Sequence, residues 1–141
     1  PEFRPDRGPA ARFLLLNHAD LPVLRPPLLR FPIHAGAVKF DLIPEGVARW
    51  GGQLIVALFG DEIPMVAPRG PRAGRSVARI DPSDWSLHPF VKGSLHRPID
   101  VKFNVHDGSL YVLDFGRFEM TGQKCVRAKA RSGALWKMAL A

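Results

Sequence analysis

Gly108-Ser109-Leu110-Tyr111-Val112-Leu113-Asp114-Phe115-Gly116 has an earlier copy in the same chain, Gly52-Gln53-Leu54-Ile55-Val56-Ala57-Leu58-Phe59-Gly60. Each run sets a strand-sized apolar stretch between glycines. Working outward, Val38-Lys39-Phe40 returns as Val101-Lys102-Phe103. Arg75-Ser76-Val77-Ala78-Arg79-Ile80 finds a weaker partner in Arg131-Ser132-Gly133-Ala134-Leu135-Trp136. Three matches in the same order, two of them 56 residues apart and the Val-Lys-Phe match 63, predict one supersecondary unit present twice. The spacing exceeds the roughly 40–50 residues of familiar four-stranded repeats, as a long loop inside each unit would make it.

Composition narrows the class. The 141 residues suit one ordinary domain, and 46% are hydrophobic. No run approaches the roughly 18 apolar residues of a membrane-spanning helix. Fourteen prolines and thirteen glycines predict many turns and few long helices. The charge of +7 is either a solvated surface or a field for an anionic ligand or partner. Cys125 stands alone, which excludes an internal disulfide and a Cys-rich metal site. Pro1 to Arg7 is too polar to be a signal peptide, and Pro1-Glu2-Phe3 reads as the remnant of a cloning linker.

Period-two alternation predicts strands at 37–43 and 99–105, with Val38, Phe40 and Leu42 sharing one face and Val101, Phe103 and Val105 another. Residues 53–59 and 109–115 are apolar on both faces, as strands buried between sheets would be. Residues 76–81 and 86–91 should pair across Asp81-Pro82-Ser83-Asp84, and His106-Asp107-Gly108 should turn a tight hairpin. Residues 133–140 supply a third strand to the second unit, whose fourth is missing. Residues 12–16 are a strand or a short buried segment. Residues 28–33 read as an outer strand, with Pro32 suited to an edge. Residues 60–75 and 116–132 are expected to be long loops. The expected organisation is an arm and connector over 1–27, a first unit with its outer strand over 28–98, and a second unit over 99–141.

Arg97-Pro98-Ile99-Asp100-Val101-Lys102-Phe103-Asn104-Val105-His106-Asp107-Gly108-Ser109-Leu110-Tyr111-Val112-Leu113-Asp114-Phe115-Gly116 resembles the R-P-x-D-V-x-F-x-x-x-D-G-x-L-Y-V-x-D-x-G signature of six-bladed propellers. It looks most like the glucose/sorbosone dehydrogenase family, whose members often use pyrroloquinoline quinone (PQQ). His34-Ala35-Gly36-Ala37, followed by Trp50-Gly51-Gly52-Gln53-Leu54-Ile55-Val56-Ala57, is similar to that family's penultimate blade. The resemblance implies an all-β fold, a β-propeller fragment of about two four-stranded antiparallel blades. It implies part of a sugar dehydrogenase that oxidises a sugar or sugar aldehyde, with a periplasmic or extracellular location. The family's blade junction resembles R-x-R-D-V. Here Arg97 keeps the first arginine and Ile99 takes the place of the second. The family's catalytic histidine belongs to an earlier blade, outside this chain.

Propeller topology would open the loops 60–75, 92–98 and 116–132 on one rim. They hold Arg69, Arg72, Arg75, Lys92, His96, Arg97, Arg117, Lys124, Arg127, Lys129 and Arg131 against Asp61, Glu62 and Glu119. Arginine's planar fork suits carboxylates or phosphates, and PQQ is a tricarboxylate. The candidate cofactor-binding residues are therefore Arg97, His96, His34, Arg75 and Arg131. For Arg97 the competing role is a structural salt bridge to Asp100 or Asp114. Asp61-Glu62 is a weak calcium signal. The three tryptophans are expected to pack between blades. Expected partners are a sugar substrate and either the remaining blades or further copies of the chain. Two other functions stay open: a non-catalytic propeller that binds protein or carbohydrate, and a polyanion-binding rim. Nucleic acid is the weakest of these, because aromatics do not interleave with the basic loops.

Overall fold

A computed structural model describes residues 26–47, 49–60, 73–120 and 126–140. Nine strands form among these residues: β1 (Ala37–Leu42), β2 (Leu54–Leu58), β3 (Ser76–Asp81), β4 (Ser86–Lys92), β5 (Pro98–Asn104), β6 (Ser109–Asp114), β7 (Phe118–Met120), β8 (Val126–Ala128) and β9 (Ala134–Ala139). The sheets are β1-β2-β3-β4, β5-β6-β9 and β7-β8, and every pairing is antiparallel. The described chain is all-β, with no helix, and has the architecture of a propeller fragment. Among the described residues no helix is long and apolar enough to cross a membrane.

Local chemistry sets the turns. The Asp81 carboxylate accepts from the Ser83 amide at 2.9 Å and the Ser83 hydroxyl at 2.6 Å. Asp84 accepts from the Ser86 amide at 2.8 Å. These bonds close the β3–β4 hairpin where the sequence places it. In the β5–β6 turn, Asn104 Oδ1 accepts from the His106 amide and Asp107 Oδ1 from the Ser109 amide. Gly108 supplies the left-handed backbone there, at φ 64°.

The two large sheets are copies in space as well as in sequence. Phe40 pairs with Val56 and Ala78 lies across from the same residue, as Val101 and Trp136 lie on either side of Val112. Both first strands also shift register at the same point, Ala37/Lys39 and Pro98/Asp100. The glycine-bounded runs match as read from sequence, but the other two echoes are each two residues out of step. Phe40 corresponds to Val101, and Ser76 corresponds to Ala134 rather than Ser132. An even slip keeps every side chain on its own face, so the alternation is unaltered.

Stacking of the sheets builds the core. Ile43, Ile55, Ala57, Val77 and Leu95 meet Val101, Leu110 and Val112. On the far side of the first sheet, Val56, Leu58, Ala78 and Ile80 gather with Ala35, Leu29 and Trp85. β2 is thus apolar on both faces because both faces are used. β6 departs from this expectation: Leu113 and its partner Leu135 are exposed, so the described residues cover only one face of the second sheet. The innermost strands meet through the Asp41 carboxylate, which accepts from the Phe103 amide at 2.9 Å and lies 3.5 Å from Lys102 Nζ.

Three further expectations are revised. Residues 28–33 hold no strand; they cross the first sheet as irregular chain, with Leu29 packed on it. The segment 116–132 contains the β7–β8 pair. Of the tryptophans, only Trp50 packs between the two large sheets, edge-on to Phe90 at 5.2 Å; Trp85 joins the far-side cluster and Trp136 is exposed. The strand expected at 12–16, together with Asp61, Glu62, Arg69, Arg72, Lys124 and Cys125, lies outside the described residues.

Candidate functional site

Three of the sequence-derived site residues come together. Arg75, His96 and Arg97 line one cavity of about 350 Å³ with Leu95, Gly116, Arg117, Phe118 and Glu119. It forms where β6 runs out into Gly116 and β7, between the β4–β5 connection and the residue that enters β3. Three arginines against one glutamate make it basic.

Asp114 organises this corner. It is 2% exposed, and its carboxylate accepts from the backbone amides of His96 (2.7 Å), Arg97 (2.8 Å) and Gly116 (2.8 Å). One side chain at the end of β6 therefore fixes both the entering and the leaving chain. Phe115 N also donates to Arg97 O at 2.8 Å, as Phe59 N does to Gly36 O in the first unit.

Arg97 is itself 2% exposed. Its guanidinium lies over the rings of Phe59 (5.1 Å) and Phe118 (4.7 Å) and donates to Phe59 O at 3.3 Å. The two rings stack on each other, with centroids 5.6 Å apart. The residue expected to face a ligand is thus packed beneath the cavity, where it ties the two units together. His96 Nε2 accepts from Arg117 Nε at 3.0 Å, and both side chains line the cavity. Ser132 Oγ accepts from the Arg117 amide at 2.9 Å and donates to Lys129 O.

Arg75 has φ 55° and follows Gly74 at φ 81°. A Cβ on Gly74 would overlap the Gly60 Cα and lie 2.6 Å from Ala35 O, so the two glycines let the strand ends cross in contact. His34 and Arg131 do not line the cavity. His34 sits in an exposed turn, closed by the Ala35 amide on Pro32 O, at φ 66°. Arg131 is exposed at φ 56°, beside the Ser132 that anchors Arg117.

In the sequence Arg117 stands out only as one of the loop cations, and Asp114 only as a salt-bridge partner for Arg97. The signal for Asp114 was present: an aspartate two residues before a glycine at a strand end favours a carboxylate-to-amide bond, here Asp114 to Gly116. Phe59 and Phe118 carried no such signal, because their meeting depends on the stacking of the sheets. Among the described residues, no three His, Cys, Asp or Glu side chains gather as a metal site would require. Compared with family models, with curated proteins and with solved structures, the chain finds no match.

Proposed function

We propose that this chain is part of a β-propeller that holds a small carboxylate-bearing ligand in the basic cavity between its two units. The sharpest form of the proposal is a PQQ site in a sugar dehydrogenase of the glucose/sorbosone type, working outside the cytoplasm. The observation that carries it is the convergence of Arg75, His96, Arg97 and Arg117 on one cavity of about 350 Å³, a size suited to a small ligand. The charge and volume fit a tricarboxylate quinone. Arg75 and Arg117 would oppose its carboxylates, with Arg97 contributing positive potential from below. The quinone would supply the hydride acceptor, while this chain's residues bind and orient. The catalytic base belongs to another part of such a protein.

A second function, a non-catalytic propeller that binds protein or carbohydrate, is favoured by two observations. Arg97 is buried against Phe59 and Phe118, and Ile99 stands in place of a second arginine.

Titration with PQQ, followed by quinone absorbance and by the shift in unfolding temperature, separates the two. Binding should weaken about tenfold, the loss of one good charge-assisted contact, in Arg75→Ala and in Arg117→Ala, and stay unchanged in Lys92→Ala. Dye reduction with sugar and calcium present would extend the result to the enzyme class. No binding, or binding that Lys92→Ala weakens equally, overturns the cavity proposal.

A further inference from the structure

One face of the first sheet is apolar and only partly covered. Phe40, Leu54, Val56, Ile80 and Trp85 line a groove of about 290 Å³ there, crossed by Leu28, Leu29 and Phe31. Phe40 is 67% exposed. By the strand correspondence, Phe40, Leu54 and Val56 are the counterparts of Val101, Leu110 and Val112. Those are the residues through which the second sheet docks on the first. The free face thus repeats the chemistry of a face that is already used inside the molecule.

The opposite end of the molecule offers the matching surface. Ile55, Ala57 and Val77 receive the second sheet; their counterparts are Tyr111, Leu113 and Leu135, and the last two are exposed. We infer that a second copy of this chain docks head to tail, seating its Tyr111–Leu113–Leu135 face on the Phe40 groove of the first.

Two independent features support a copy of this chain as the occupant. The first is charge. Within the molecule, Lys102 meets Asp41, and these two residues occupy equivalent strand positions. Docking the next copy brings Asp41 of one chain to Lys102 of the other, so opposite charges meet again along the innermost strands. The Phe103 amide bond to Asp41 does not recur, since Lys102 has no acceptor. The second feature is strand number. The second sheet has three strands, and β9 pairs only with β6 among the described residues. Residues 28–33 precede β1 in the chain as β4 precedes β5, and Leu29 packs on the far side of the first sheet as Phe90 packs on the shared core. They lie where the outermost strand of a docked sheet would run. A sheet lacking its outer strand and an outer segment lacking its sheet complement each other. The first sheet lies between them, so one chain cannot join its own pair.

Such a contact is heterologous, and it propagates into a ring or a filament. The inference rests on the two-sheet stacking alone, independent of any ligand. The test is native mass for the full chain, for Phe40→Asp and for Leu135→Asp, both at exposed sites, with unchanged far-ultraviolet circular dichroism as the folding control. Wild type should run above the mass of one chain, and each variant alone should run as one chain. Because each variant keeps the face the other lacks, an equimolar mixture should give a one-to-one complex and nothing larger. A wild type that stays at one chain at the highest concentration it tolerates overturns the inference. So does a Leu135→Asp variant that still self-associates, which would point to groove-on-groove pairing.

Discussion

At the scale of single residues, the corner beneath the cavity depends on Asp114 more than on any arginine. Its carboxylate satisfies three backbone amides in a buried place, and buried donors left without acceptors are costly. Asp114→Ala should lower the unfolding free energy by about 3 kcal/mol or more, read by denaturant titration. Asp114→Asn keeps one acceptor oxygen and should cost less. Equal losses in the two variants would mean that packing, not the amide grip, is what the residue provides. Arg97 belongs to the same corner. Its identity was legible in the sequence, but its burial was not: that follows from Phe59 of one unit and Phe118 of the other arriving on the same side of it.

At the scale of elements, the β5–β6 hairpin carries a small ionic network. Asp107 accepts from the Tyr111 hydroxyl at 2.6 Å and lies 2.9 Å from Lys137 Nζ on β9. The Tyr111 hydrogen bond, and after it Lys137, lowers the Asp107 carboxyl from 3.8 to about 2. The Asp107 carboxylate in turn raises Lys137 above its ordinary value. A depressed acid contributes stability that is complete above its unfolded value and is lost as pH falls through the folded one. The network should therefore hold from neutral pH down to about 4, then weaken toward pH 2. A raised lysine contributes stability below its ordinary value and loses it as pH rises past the raised one. Melting temperatures measured across the acid range should fall less steeply for Asp107→Asn than for wild type. The hairpins themselves were readable, since Asp81-Pro82-Ser83-Asp84 and Asp107-Gly108 act through bonds to their own neighbours. Residues 28–33 were not, because a strand exists only where a partner strand is present to pair with it.

At the scale of the whole molecule, the stacked sheets share one core, so they should unfold together. Ile55 is fully buried on the face that meets Val101, Leu110 and Val112. Ile55→Ala should cost about 2–5 kcal/mol, with tryptophan fluorescence and circular dichroism moving through a single coincident transition. Two separate transitions would show that the units are independent. The sequence by itself determined the all-β class, the twofold repeat, the glycine-bounded strands and the turns. Each of these rests on alternation or on hydrogen bonds between residues a few positions apart. Only the tertiary structure decided which apolar faces meet and which stay open, that Arg97 lies beneath the cavity, and that Arg75, His96 and Arg117 converge on it while His34 and Arg131 stand aside. Alternation says that a strand has two faces; which of them loses water depends on where the chain, tens of residues away, lays down its next sheet.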